Sequence, residues 1–193
     1  SCRGIQFGAK VIVSPYMPFN NINMEWVQID PFPTIDHWNE YIVYSLWKHF
    51  TTDYCMLVHA DGFIVNPDKW QGKWLEYDYC GSPWDLACAY AIQGGRNQPL
   101  SRVGNSVGLR SRRLCKLPTD INLEWKRFNN DSNEDTFLVA HNRVILEQHG
   151  IKIAPLEVAV EFGREAEMPE NSHITDPFCF HKWQGKNAIY PRF

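Results

Sequence analysis

An apolar segment that ends in a carboxylate is the most informative chemical feature of this sequence. Tyr54 to Val58 are mostly apolar, and His59-Ala60-Asp61-Gly62 follows directly. This pattern predicts a buried strand of a mostly parallel sheet, and ligands bind at the carboxyl ends of such strands. Asp61, followed by a glycine that permits a tight turn, suits a hard divalent cation that prefers oxygen ligands. The alternative is that Asp61 only caps a turn after an ordinary strand.

Three further groups of residues at predicted ends of strands or helices are candidates for catalysis or ligand binding. Glu134-Asp135 precedes a helical pattern, His181-Lys182 lies in a late apolar segment, and two glycines punctuate residues 103–111, predicted to form a turn. Each has an ordinary structural explanation. Acidic residues favour helix N-termini, a histidine between aromatic residues usually packs in a core, and the glycine segment lacks the Gly-Lys-Ser/Thr of a Walker loop. Only the combination of these features points to a site.

The composition favours an ordinary globular domain whose cysteines are free thiols. The chain has 193 residues, 44% hydrophobic and 21% charged, with a net charge of −3, so no basic field indicates nucleic-acid binding. No apolar run approaches the roughly 20 residues of a membrane span. The six cysteines show no C-x-x-C pair, which predicts free thiols in a reducing, cytoplasmic setting rather than a disulfide framework or zinc site.

The elements that must position these residues alternate between strand and helix. A helix end through Phe7, strands at 10–13 and 24–29, and a helix from Asp36 to about Phe50 precede the strand that leads to Asp61. After it we expect a strand at 77–80, a long loop over 85–102, and a helix from Ser111. The last elements are a helix over 136–148, strands at 151–154 and 159–162, and a final apolar segment at 178–183. The pattern predicts one α/β domain over residues 1–193, with helices flanking a mixed, mostly parallel sheet. The chain opens where a first strand would have ended, so that strand is missing, divergent, or part of a larger protein from which this domain was cut.

Five motifs in order resemble the bacterial and viral glycosyltransferase-like domains of the GT-A fold. They are an Asp-Gly-Phe strand end, Tyr-Asp-Tyr-x-Gly-x-Pro-Trp, a glycine segment ending in Leu-Arg-Ser, Asn-Glu-Asp, and a closing Phe-x-Phe-His. Here they stand at residues 61–63, 77–84, 103–111, 133–135 and 178–181. The resemblance spans nearly the whole chain and implies a metal-dependent enzyme that transfers a hexosyl unit from a nucleotide diphosphate sugar, with a UDP-sugar as the favoured donor.

The resemblance also implies a role for each matched residue. Asp61 and His181 would hold Mn²⁺ or Mg²⁺, and an imidazole ligand favours Mn²⁺. Asp135 would be the general base that takes the proton from the acceptor hydroxyl, with Glu134 beside it. Position 59 is His where an Asp-x-Asp motif has its first carboxylate, so His59 is expected to assist the metal or donor. The remaining donor- or acceptor-binding candidates are Trp84, Gly104, Asn105, Ser106, Arg110 and Lys182.

Some alternatives stay open at the level of sequence. Arg110 fits a phosphate contact or a structural ion pair, Lys182 and Lys186 fit a diphosphate contact or solvated charges, and Asp78 is expected to fix a turn. Glu161 and Glu165 receive no role. Inversion at the anomeric carbon is favoured over retention. The acceptor would be a glycan or glycoprotein, in a bacterial cell or a virus-infected host cell. The rival functions are a non-catalytic carbohydrate-binding module and a metal-dependent glycoside or phosphate hydrolase.

Overall fold

The long strand β5 (Val103–Ser111) is the centre of the main sheet. A computed structural model describes residues 4–17, 24–128 and 133–192. In it β5 lies between β3 (Tyr54–Leu57) and β4 (Tyr79–Pro83) and runs antiparallel to both. β3 and β4 therefore point the same way without being neighbours. The prediction of a mostly parallel sheet is wrong, because an apolar run indicates a buried strand and not its direction.

Parallel pairing among the described residues occurs in two short accessory strand pairs and one isolated bridge. β1 (Val11–Ser14) pairs with β2 (Glu25–Gln28), and β6 (Gly163–Arg164) pairs with β7 (Cys179–Phe180). A single parallel bridge joins Tyr79 to Ile153, and an antiparallel one joins Ile64 to Cys179. The predicted strands at 10–13 and 24–29 are confirmed. The segment 151–154 contributes only the bridge at Ile153.

The first two helices differ from the predictions in two respects, the N-cap of one and the presence of the other. α1 (Ile35–Ser45) continues as a 3₁₀ turn, Leu46–His49, which confirms a helix over this region, although Thr34 and not Asp36 occupies the N-cap. α2 (Leu86–Gln93) begins at Asp85, whose side chain accepts from the Cys88 amide, so the predicted loop over 85–102 contains a helix. No helix is present over residues 4–7, and residues 1–3 lie outside the described part of the chain.

The remaining helices follow the central strand. Ser111 caps α3 (Arg112–Asp120) by accepting from the Leu114 amide, as the sequence predicts. α4 (Glu134–Thr136), a π-helical turn (Phe137–His141) and α5 (Arg143–Gln148) fill the predicted helix at 136–148. The predicted strand at 159–162 is wrong, since α6 spans Leu156–Phe162 after Pro155. Short 3₁₀ turns cover Pro67–Lys69, Gly72–Glu76, Pro169–Asn171 and Gly185–Ile189.

Side chains from alternate positions of the strands build a core on each face of the sheet. Tyr79 packs in one cluster with Leu114 and Phe137, whereas its neighbour Cys80 packs in another with Trp74 and Phe178. This is the period of two expected for a sheet covered on both faces. The structure is therefore a mixed α/β domain. Among the described residues, no helix is both long and apolar enough to cross a membrane.

Asp78 fastens the edge of the sheet to its neighbours, as expected for a structural residue. Its carboxylate accepts from Ser111 Oγ at 2.6 Å, from Arg113 Nη2 at 2.5 Å and from the Lys152 amide at 2.8 Å. Burial raises the pKa of this carboxyl, but the hydrogen bonds from Arg113 and Ser111 outweigh burial and lower it.

Trp84 lies in the core and presents no open face to a sugar. Its side chain is only 5% exposed, and it packs directly over Gly104, where an added Cβ would lie 1.8 Å from Trp84 Cζ2. The expectation that Trp84 stacks on a sugar ring and that Gly104 lines a ligand is therefore corrected. The glycine is required because the indole occupies the space of a side chain.

Gly104→Ala should lower the free energy of unfolding by about 3 kcal/mol or more, because the new methyl group overlaps the Trp84 ring. Chemical denaturation measures the loss. The matched control is Gly72→Ala, where no atom lies within 4 Å of the added Cβ, and which should stay within about 0.5 kcal/mol of the wild type. Equal stability of the two variants would contradict this packing.

Candidate functional site

A tight turn after β3 carries Asp61 to the edge of the sheet. The His59 amide donates to the Gly62 carbonyl at 2.8 Å, and the Lys182 amide donates to the Asp61 carbonyl at 2.7 Å. Gly62 lies against the segment after β7, since an added Cβ would be 2.8 Å from the Phe180 carbonyl oxygen and 2.9 Å from His181 Cδ2. The turn and the end of β7 are thus joined by backbone contacts.

The turn brings together three potential metal ligands. His59, Asp61 and His181 each offer one ligand atom, and these atoms lie within 4.8 Å of one another. His181 Nε2 and Asp61 Oδ2 are 3.7 Å apart. Two atoms bound to one ion at about 2.1 Å lie no more than about 4.2 Å apart, so a small contraction would close the set. The Asp61 side chain is 47% exposed, which leaves the cluster open on one side.

His59 has two properties of a metal ligand, a neutral imidazole and a ring nitrogen without a hydrogen-bond partner among the described residues. Burial lowers the pKa of His59 to about 4, so its imidazole is neutral near pH 7, the form that binds metals. Its Nε2 is buried and has no hydrogen-bond partner among the described residues. The ring packs edge-on against Trp38, with centroids 5.2 Å apart. An unpartnered buried nitrogen beside a carboxylate is the observation that fits a bound cation.

Glu134 and Arg110 form a fully buried ion pair beneath this cluster. Arg110 Nη2 donates to Glu134 Oε1 at 2.6 Å, with side-chain exposures of 1% and 0%. Ser106 Oγ donates to the other Glu134 oxygen at 2.9 Å. Of the two alternatives for Arg110, the structure shows the ion pair. The expectation that Glu134 meets an acceptor hydroxyl, and that Ser106 donates to a ligand, is corrected, since each already binds the other.

Asp135 is buried at the N-terminus of α4, and its partners are backbone amides rather than the charged side chain that Glu134 contacts. Its Oδ2 accepts from the Asn105 amide at 2.8 Å, and its Oδ1 accepts from the Thr136 amide at 2.8 Å. Burial, followed by the negative charge of Glu134, raises the pKa of Asp135 to about 8. A carboxyl that takes up a proton near neutral pH has the property of a general acid or base.

Asn105 connects Asp135 to the rest of the site. It has φ of +83°, a region that Asn tolerates better than most residues, and this bend turns its amide toward Asp135. Its side chain accepts from the Val107 amide at 3.1 Å and donates to Glu165 Oε2 at 2.7 Å. Asn105 is 1% exposed, so within the described chain it acts through Asp135 and Glu165.

Glu165 lies at the centre of the site, although no role was predicted for it from the sequence. Its carboxylate contacts Asn105, Lys182 Nζ at 2.5 Å, and His181 Nδ1 at 3.5 Å. Burial raises its pKa, but the contacts with His181 and Lys182 outweigh burial and lower it. Glu165 follows β6, which pairs in parallel with the strand that leads to His181. Recognising residues 163–164 as a strand was the signal that could have found it.

Lys182 and Lys186 are both paired with carboxylates. Burial opposes the charge of Lys182, but its hydrogen bond to Glu165 outweighs burial and raises its pKa. Lys186 lies 3.5 Å from Glu167. Lys182 therefore sits at the edge of the site with its charge already balanced, and Lys186 belongs to a neighbouring surface pair.

Comparison with known proteins places the chain in a family. A family model described as "Protein of unknown function (DUF5672)" matches residues 21–181. The chain belongs to this family. The matched region contains Asp61, Asp135, Glu165 and His181. No curated protein and no solved structure matches the chain significantly.

The raised pKa of Asp135 predicts a pH-dependent contribution to stability. Its folded-state pKa lies above its unfolded value of about 4, so its contribution is complete below about pH 4 and is lost as the pH rises through about 8. Asp135→Asn should therefore gain stability relative to the wild type between pH 5 and pH 8, by about 1 kcal/mol or more, even if the amide lowers stability at every pH. Chemical denaturation across this range measures the difference, and exposed Asp68→Asn is the control. A difference that does not change with pH would contradict the raised pKa.

Proposed function

We propose that this protein is a metal-dependent glycosyltransferase that moves a hexosyl unit from a nucleotide diphosphate sugar, with a UDP-sugar as the favoured donor, to a hydroxyl of a glycan or glycoprotein. The observation that supports it is a continuous chain of contacts between the ligand cluster and the carboxyl with raised pKa. It runs from Asp61 to His181 at 3.7 Å, to Glu165 at 3.5 Å, to Asn105 at 2.7 Å, and through the Asn105 amide to Asp135 at 2.8 Å. One site would thus hold both a cation-binding set and a base.

His59, Asp61 and His181 would hold the metal ion. A nitrogen-rich set with one carboxylate favours Mn²⁺ over Mg²⁺. When bound, such an ion neutralises the diphosphate of the donor and stabilises the leaving group. The exposed side of Asp61 is where the donor phosphates would meet the cluster. Lys182 would contact the same phosphates once its ion pair with Glu165 is replaced by one with the incoming phosphate.

Asp135 would act as the base. The acceptor hydroxyl loses its proton as its oxygen attacks the anomeric carbon, and one Asp135 oxygen receives that proton. The Asn105 and Thr136 amides hold the carboxylate in one orientation. In its ionised form, which is populated as the pH rises toward 8, a carboxylate with a pKa near 8 takes a proton more readily than an ordinary aspartate. Attack from the face opposite the leaving group inverts the anomeric centre.

Removal of single ligands tests the metal centre directly. Mn²⁺ added to protein stripped with EDTA should bind, as measured by the loss of free Mn²⁺ signal in electron paramagnetic resonance. Asp61→Asn and His181→Ala should each weaken this binding by about 100-fold or more, since even a residue that only supports a ligand is worth 10–100-fold. The exposed His173→Ala is the matched control. Mn²⁺ affinity that is the same in all four proteins would rule out this centre.

A second comparison separates donor binding from chemistry. Thermal shift with UDP-, GDP- and dTDP-sugars should show Mn²⁺-dependent stabilisation by one donor class, because a ligand of the folded state raises the melting temperature. Asp61→Asn should abolish the shift. Asp135→Asn should keep it but lower transfer by roughly 10²–10⁴-fold.

The outcomes distinguish the rival functions. A Mn²⁺-dependent shift without any transfer or donor hydrolysis would favour a carbohydrate or nucleotide-sugar binding module. Hydrolysis of a glycoside or phosphate ester without an acceptor would favour a hydrolase. Equal loss of donor binding in Asp61→Asn and Asp135→Asn would contradict the division of roles between these two carboxylates.

A further inference from the structure

Two nitrogen atoms of His181 face different surroundings. Nε2 points to the ligand cluster, 3.7 Å from Asp61 Oδ2, and Nδ1 lies 3.5 Å from Glu165 Oε1. Nδ1 is buried and makes no hydrogen bond within the described residues. A neutral imidazole carries its proton on one nitrogen only, so the environment of Nδ1 decides whether Nε2 is free to bind a ligand.

Glu165 is held in place by contacts on both of its oxygens. Asn105 Nδ2 donates to Oε2 at 2.7 Å, and Lys182 Nζ donates to Oε1 at 2.5 Å. The side chain is 13% exposed. The carboxylate that faces Nδ1 is therefore fixed from two sides and shielded from water, conditions under which it attracts a proton on Nδ1 strongly.

The backbone around His181 is fixed as well. The His181 amide donates to the Arg164 carbonyl at 3.1 Å, and Asn187 Nδ2 contacts the carbonyls of Arg164, Glu165, His181 and Lys182 at 3.0–3.3 Å. These bonds hold the segment that carries Glu165 and the segment that carries His181 as one unit. The backbones that carry His181 and Glu165 are therefore held next to each other.

We infer that Glu165 is the positioning residue of this site: it keeps the proton of His181 on Nδ1 and so leaves the Nε2 lone pair directed at Asp61. Histidines that bind metals usually donate their second nitrogen to a carboxylate or carbonyl in this way. The inference deepens the proposed function through its metal centre, but the location of the proton is a property of the metal-free protein. Glu165 also links His181 to Asn105, and through it to Asp135.

The wild-type protein alone gives a first test. Nitrogen-15 NMR of the imidazole nitrogens, recorded on metal-free protein at a pH where the His181 ring is neutral, distinguishes the two tautomers. His181 should be protonated predominantly on Nδ1. Predominant protonation on Nε2 would overturn the inference, and this measurement does not depend on any variant folding.

Glu165→Gln gives the second test, because it keeps the shape of the side chain but removes its charge and lets an N–H face His181. The Nδ1 tautomer should lose its dominance, and Mn²⁺ affinity should fall by about 10–100-fold. Glu167→Gln is the matched control: it lies two residues along and accepts from the Lys186 amide at 3.0 Å, and it should change neither readout. A folded Glu165→Gln with unchanged tautomer and unchanged affinity would overturn the inference.

The same data separate this inference from the proposed function. If the wild type binds no Mn²⁺ yet His181 shows a Glu165-dependent Nδ1 proton, the metal centre fails and the role of Glu165 stands. If the wild type binds Mn²⁺ and Glu165→Gln binds it equally well, the metal centre stands and the role of Glu165 fails.

Discussion

The buried ion pair between Arg110 and Glu134 is the interaction on which the site depends. It joins the central strand to the short helix that carries Asp135, and neither side chain is accessible to water. Loss of one partner would leave an uncompensated charge in the interior, which costs on the order of 3–5 kcal/mol. Arg110 also lies 5.4 Å from the centroid of the Tyr79 ring. The pair therefore fixes the distance between sheet and helix, and with it the position of Asp135.

The same pair sets the electrostatics of the carboxylates above it. Arg110 neutralises Glu134 directly, but the residual negative potential still acts on Asp135, whose own contacts are two neutral backbone amides. Glu165 is paired with Lys182 at 2.5 Å, whereas Asp61 lies 3.7 Å from His181 Nε2. The pKa values of Glu165 and Asp135 are thus shifted in opposite directions, because contacts with His181 and Lys182 lower that of Glu165 whereas burial and Glu134 raise that of Asp135, a common arrangement at sites of proton transfer.

Much of the site was predictable, because its residues stand at recognisable ends of elements. Asp61 follows an apolar strand, Glu134 and Asp135 begin a helix, and His181 follows an aromatic segment, so each could be named from its neighbours. The helix over 36–50 and the Ser111 cap were likewise predictable, since apolar spacing and capping chemistry are local. The strand at 159–162 was predicted wrongly, because a short apolar run does not distinguish a strand from a buried helix.

The sequence by itself pointed to Asp61, Asp135 and His181 as candidates for chemistry, because side-chain type and local pattern are properties of the chain. Only the tertiary structure decided how they are used. The antiparallel insertion of β5 between β3 and β4 packs Trp84 over Gly104 and pairs Arg110 with Glu134, so that these four residues are engaged with one another rather than with a ligand. The pairing of β6 with β7 brings Glu165 to His181. These outcomes depend on strand direction and on contacts between residues that are distant in sequence, and no local pattern encodes either of them.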